Sequence, residues 1–127
     1  MPFLRATVLP PDADEAVVEH LRDGLVKLAT TVLAKASDVT SVLIEPVRQG
    51  AWFVGGARAT VAAHVVITVT AGTNTPEQKA AFVEQTFALL RNLLGNALPE
   101  ATYVVVNEAD PESWGFGGKT ASTRRRA

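Results

Sequence analysis

Apolar and polar positions follow two periods along this chain, and the switch from one to the other happens twice. Phe3 to Leu9 is a short apolar run of strand formers, stopped by Pro10-Pro11. Val18, Leu21, Leu25, Leu28 and Val32 then recur at intervals of three and four. That spacing predicts a helix over about 14–34 with one apolar stripe. Asp12 or Asp14 stands where such a helix is capped, and Ser37-Asp38 breaks it. Val39 to Glu45 reads as a second strand ended by Pro46, and 47–57 as a glycine-rich loop or hairpin. The pattern then restarts. Thr60 to Thr70 is a long β-branched run, expected to be a strand buried on both faces. Gly72 to Thr75 is a turn, with Thr75 as cap and Pro76 at a first helical position. Phe82, Val83, Thr86, Phe87, Leu90 and Leu94 form a second stripe, which Gly95-Asn96 ends. Thr102 to Val106 is the last long strand, and Lys119 to Ala127 reads as a polar, basic, solvated tail.

The restart is a repeat. A shift of 62 residues lays Trp52-Phe53-Val54-Gly55-Gly56 on Trp114-Gly115-Phe116-Gly117-Gly118 without a gap. The same shift lays Glu15 on Glu77, Leu28 on Leu90, and Val42 and Ile44 on Val104 and Val106. Duplication of this kind implies two similar units. Each β-α-β crossover is expected to be right-handed with parallel strands. The expected fold class is α/β (α+β): two tandem β-α-β units forming a four-stranded sheet with both helices on one face. A single domain over 1–127 would comprise units at about 2–59 and 60–119 plus the tail. The other sheet face still carries apolar residues, Val104 and Val106 or their neighbours, and association with further copies is the expected cover.

Composition narrows the function classes. The 127 residues are 47% apolar, enough for a core, and the net charge of −1 gives no electrostatic reason to expect nucleic acid or an anionic membrane. With no cysteine, neither a disulfide framework nor a thiolate metal site is possible. The opening residues do not have the pattern of a signal peptide, and no apolar stretch approaches membrane-span length. A cytoplasmic protein is expected. His20 and His64 stand far apart without ligand-like companions, so no metal is expected. Neither Gly-Gly pair belongs to a complete Walker motif, since Gly118-Lys119-Thr120 lacks the glycine that position 113 would need, so no phosphate loop or other cofactor is implied.

The two units differ most at their starts, since only the first opens with Met1-Pro2. Removal of Met1 would leave a secondary amine at the end of a strand. A free α-amine titrates near 8, and burial lowers that value, so a neutral amine could move protons near pH 7.

An amino-terminal proline on a β-α-β unit, two Gly-Gly hairpins and the duplication together resemble the tautomerase superfamily. Trp114-Gly115-Phe116-Gly117-Gly118-Lys119-Thr120-Ala121-Ser122, followed by arginines, is similar to the end of 4-oxalocrotonate tautomerase. The run from Val106 to Gly117 and the doubled length resemble malonate semialdehyde decarboxylase and other fused members. The resemblance covers nearly the whole chain. It implies a homotrimer of two-unit chains acting on a small molecule, with Pro2 as catalytic acid/base. It also implies that Asp38 cooperates with Pro2, against the alternative of an ordinary turn aspartate. Trp114 and Phe116 resemble the aromatic wall of the family's pocket, or else pack a subunit interface, where Trp52 and Phe53 are also expected. Tyr103 matches a hydrogen-bonding tyrosine of dehalogenase-like members, or is a surface tyrosine.

The chain departs from the family where carboxylates are gripped. Asn74 stands where arginine is expected before the second helix, Asp12 holds the matching place in the first unit, and Ala29 replaces a first-helix histidine. Arg5, Arg48 and Arg58 are the candidate substitutes. The implied function is keto–enol tautomerisation of a small 2-oxo acid or aryl enol, with Asn74 or Tyr103 hydrogen-bonding the carbonyl. Alternatives are a hydratase, decarboxylase or dehalogenase-like lyase acting on a small three-carbon acid, and a non-catalytic trimeric binding protein.

Overall fold

A computed structural model describes residues 1–9 and 15–126. Pro10-Pro11 and the capping candidates Asp12 and Asp14 lie outside the described residues. Strand β1 (Phe3–Leu9) is followed by helix α1 (Glu15–Thr31) and strand β2 (Ser41–Pro46). A hairpin of β3 (Phe53–Val54) and β4 (Ala57–Arg58) leads to β5 (Ala62–Thr70), α2 (Pro76–Leu94) and β6 (Val104–Ala109). A second hairpin, β7 (Gly115–Phe116) and β8 (Lys119–Thr120), runs into a short helix α3 (Ala121–Arg126). The main sheet has the order β2-β1-β5-β6. Each unit contributes a parallel pair, and β1 meets β5 antiparallel at the centre. The observed architecture is the expected α+β one. No helix among the described residues is long and apolar enough to cross a membrane.

Strand alternation decides which face holds the core. Leu4, Ala6 and Val8 of β1 and Ala63, Val65, Ile67 and Val69 of β5 are buried against one side. Leu21, Leu25 and Ala29 of α1 and Phe82 and Leu90 of α2 meet them there. The helices come close where Gly24 faces Leu89, leaving under 3 Å between the Leu89 methyls and the place of a Cβ. At the start of α2, Thr75 accepts from the Gln78 amide and the Gln78 side chain accepts from the Thr75 amide, a reciprocal capping box with Pro76 behind it. At the end of α1, the Lys35 amide reaches back to the Ala29 carbonyl at 3.0 Å across Ala34, which takes φ 58°. Glycine is the usual choice there, because a Cβ in this left-handed region costs about 1 kcal/mol.

Several expectations are corrected. Strand β5 is not buried on both faces: His64, Val66 and Thr68 are only half-buried on the side away from the helices. Val104 and Val106 join the helix-side core, and it is neighbours such as Val105 that stay exposed on the open face, together with Phe3 and Leu43. The basic tail is solvated only in part: Lys119 and Thr123 to Arg126 are exposed, but the segment is a helix anchored at its start. The Ala121 amide donates to the Trp114 carbonyl and the Ser122 amide to the Pro111 carbonyl, which docks α3 with Ala121 and Ser122 buried. Its burial consumes only two small side chains, so no apolar pattern announces it.

The repeat also carries a one-residue gap. Val42 pairs with Leu4, whereas Val104 pairs with Val65. The equivalent core positions are therefore Leu4 and Val65, Leu21 and Phe82, and Ala29 and Leu90, each a shift of 61 residues. The shift of 62 holds only from β2 onward through the hairpins, where Trp52 and Trp114 accept equivalent bonds from Ala59 and Ala121. An ungapped overlay is off by one residue over the strand and helix that open each unit.

Candidate active site

The antiparallel centre of the sheet brings the second hairpin over the start of β1. A cavity of about 330 Å³ opens there, lined by Met1, Pro2, Phe3, Ser41, Thr68, Trp114, Gly115 and Phe116. Pro2 is buried, and its carbonyl accepts from the Ser41 amide at 3.3 Å, the first bond of the β1–β2 pairing. Ser41 lies opposite Phe3 in that register, and Thr68 lies opposite Phe3 on β5. Two hydroxyls therefore flank the proline end.

The aromatic wall is braced from behind. The Trp114 indole N–H donates to the Thr70 hydroxyl at 3.1 Å, at the end of β5. The Arg124 guanidinium stacks on the Phe116 ring, 3.9 Å from its centroid, and donates to the Phe116 carbonyl at 3.1 and 3.3 Å. Helix α3 thus holds one side of the cavity in place.

The electrostatics favour a neutral amine. Burial is the main cause that holds the Met1 amine below its ordinary value, and the positive charge of Lys35 lowers it further. Lys35 itself is half-buried and pushed below the ordinary lysine range by desolvation, with Nζ donating to the Thr73 hydroxyl at 2.9 Å. Nothing in the sequence marks Lys35. Its nearness to the amino terminus arises because β2 runs parallel to β1 and the Ala34 turn delivers residue 35 to the same edge.

Of the residues expected at a site, Pro2, Trp114 and Phe116 converge. The others do not line this cavity. Asp38 is exposed in a single turn of 3₁₀ helix, Ser37–Val39. Asn74 is occupied: its amide donates to the Leu33 carbonyl at 2.9 Å and to Gln78 Oε1 at 3.1 Å, tying the two units together. Tyr103 is 69% exposed and lines a different cavity with Trp52 and Phe53. Arg5 pairs with Glu45 at 2.6 Å on the open sheet face. Arg48 and Arg58 belong to the region of the first hairpin, which packs on Leu9 at the far end of β1 from Pro2. Sequence reasoning missed Ser41, Thr68, Thr70, Lys35 and Arg124, because each reaches the site by strand register or by docking of the last helix.

Comparison with known proteins places this arrangement. Residues 64–124 match the family model described as Tautomerase enzyme. A search of the curated proteins finds no match. Among solved structures, the chain is similar to an F6 fused 4-OT, wild type, asymmetric trimer: TM-score 0.84 and 19% identity, over 96% of this chain and 98% of that one. It is similar to R7 fused 4-OT, with TM-score 0.84 and 20% identity over 98% and 99%. It also resembles N1, a member of the cis-3-chloroacrylic acid dehalogenase family, with TM-score 0.77 and 25% identity over 93% and 82%. Residues 64–124 thus carry the pattern of the tautomerase family, and the chain as a whole has the fold of structures built from two fused units.

Proposed function

We propose that this chain is a tautomerase that acts as a homotrimer, using Pro2 after removal of Met1 as general acid and base on a small 2-oxo acid or aryl enol. The observation that carries this reading is the burial of Pro2 in a cavity with an aromatic wall, where an amine is already held below its ordinary value. The neutral prolyl nitrogen takes the proton from the enol oxygen. As the carbonyl forms, the resulting ammonium delivers a proton to the carbon, which restores the base. Trp114 and Phe116 hold the substrate's flat face and exclude water. The hydroxyls of Ser41 and Thr68, which line the cavity, take the hydrogen-bonding part that Asn74 and Tyr103 do not reach within the chain. Lys35 supplies one positive charge beside the amine in place of an arginine pair, so monocarboxylates are favoured over dicarboxylates. The same geometry favours tautomerisation over hydration by Asp38, whose carboxylate does not line the cavity. The trimer is supported by the fused 4-OT trimers that share the fold and by the exposed apolar side chains of the open sheet face.

The test is turnover of phenylenolpyruvate by protein whose amino terminus mass spectrometry shows to be Pro2. Pro2→Ala should lose about 10²–10⁴-fold in kcat/KM, the usual worth of a positioned acid/base. Protein that retains Met1 should be equally inactive, because its proline nitrogen is an amide. A variant as fast as wild type would overturn the assignment.

A further inference from the structure

A second cavity of about 300 Å³ lies at the start of β5, and it is the counterpart of the first. The pseudo-twofold axis carries one onto the other. Ala63 takes the place of Pro2, His64 that of Phe3, Tyr103 that of Ser41, Trp52 that of Trp114, and Phe53 that of Gly115. The nitrogen at the proline place is here a main-chain amide, so amine chemistry is impossible. The cavity has nevertheless stayed open at nearly the size of its counterpart, about 300 against 330 Å³. Its lining has gained an imidazole, a phenol and a further aromatic ring.

We propose that this cavity is a second ligand site, which binds a small aromatic monocarboxylate without transforming it. Val65 pairs with Val104, so His64 and Tyr103 are adjacent across the parallel strands and both stand on the sheet face away from the helices. Neighbouring strands lie about 4.8 Å apart, so an imidazole and a phenol, each able to donate a hydrogen bond to a carboxylate, share one wall of the cavity. Among the described residues neither side chain is hydrogen-bonded within the chain. Trp52 and Phe53 supply flat apolar surface for the ring. The Arg58 guanidinium, 5.9 Å from the centroid of the Phe53 ring, adds positive charge at that wall. The inference goes beyond the reading of the Pro2 site and does not depend on it.

The chain has two histidines, which gives the test an internal control. His20 is exposed on α1, on the other side of the sheet. In wild-type protein titrated with benzoate at constant pH, the His64 imidazole proton resonance should shift saturably while that of His20 stays still. The shift should persist in Pro2→Ala, which separates this site from the proposed catalytic one. Tyr103→Phe should weaken the apparent affinity about tenfold, the effect of losing one hydrogen bond to a charged group. Benzyl alcohol, a neutral analogue, should bind at least as much more weakly. An unmoved His64, equal shifts at both histidines, loss of the shift in Pro2→Ala, or indifference to Tyr103→Phe or to the carboxylate would each overturn the proposal.

Discussion

At the scale of single residues, the candidate chemistry rests on an amino terminus whose positive charge is disfavoured. The Met1 amine, at the cavity that Trp114 and Phe116 line, resists protonation because its charged form loses hydration, and Lys35 adds repulsion to that cost. Both causes act in the same direction. The neutral base is then available below the ordinary α-amine value, and kcat/KM should rise with pH through an ionisation below 8 and level off above it. Lys35→Met removes the repulsion but leaves the burial. Its pH profile should move toward higher pH, and KM for a monocarboxylate substrate should rise about tenfold with the loss of a charge-assisted contact. Steady-state rates across pH check both. An unchanged profile would separate Lys35 from the amine. Thr86 presents the opposite case, a buried polar atom with no visible use. Its hydroxyl has no hydrogen-bond partner in the core of α2, at the place Leu25 holds in α1. Thr86→Val should therefore stabilise the fold by about 1 kcal/mol, measured by denaturant unfolding.

At the scale of elements, sequence and structure agree where a local rule decides. The Thr75-Pro76 start of α2, the strand Phe3–Leu9 and the two apolar stripes all follow from capping and periodicity. The predicted C-terminal end of α1 overshoots by a few residues, because the left-handed Ala34 turns the chain so that the Lys35 amide bonds the Ala29 carbonyl, with no glycine to announce it. Strand β6 begins later than Thr102 suggests, since the Thr102 hydroxyl is spent on the Pro99 carbonyl in the preceding turn. One electrostatic tie joins α2 to β6: Lys79 Nζ to Glu108 Oε1 at 2.9 Å. That hydrogen bond is the main cause holding the Glu108 carboxyl below its ordinary value. A depressed carboxyl value stabilises the fold above the ordinary carboxylate range and ceases to do so as pH falls through the shifted value. Wild type should then be more stable than Glu108→Gln at neutral pH, with the two converging below about pH 4. Thermal unfolding across that window is the measurement, and a gap that persists at low pH would assign the effect to packing.

At the scale of the whole molecule, the sheet has one satisfied face and one exposed. Phe3, Leu43 and Val105 remain 39–44% exposed on it, beside the Arg5–Glu45 pair. Apolar side chains spread across three strands gain by burial against further copies, at about 25 cal/mol per Å² removed from water. If the proposed trimer forms through this face, replacing Leu43 by Glu should shift sedimentation toward a 13.5 kDa monomer, with the helix-side core intact by circular dichroism. A trimer unaffected by that charge would place the interface elsewhere.

The sequence by itself determined the kinds and order of the principal elements, the duplication, and the proline that only one unit carries. These follow from periodicity and turn chemistry, which act over a few residues. It also marked Trp114 and Phe116, whose glycine-rich context is local. Tertiary structure decided the rest. Strand register chose Ser41 and Thr68 as the hydroxyls at the proline end and showed the one-residue gap that an ungapped overlay conceals. The parallel crossover brought Lys35 to the amino terminus, and docking of the last helix set Arg124 behind Phe116. Each of these depends on contacts between residues far apart in the chain, for which local pattern carries no signal. The pseudo-twofold axis, finally, turned one duplicated sequence into two cavities with different chemistry, because equivalent strand positions hold Pro2 in one and Ala63 in the other.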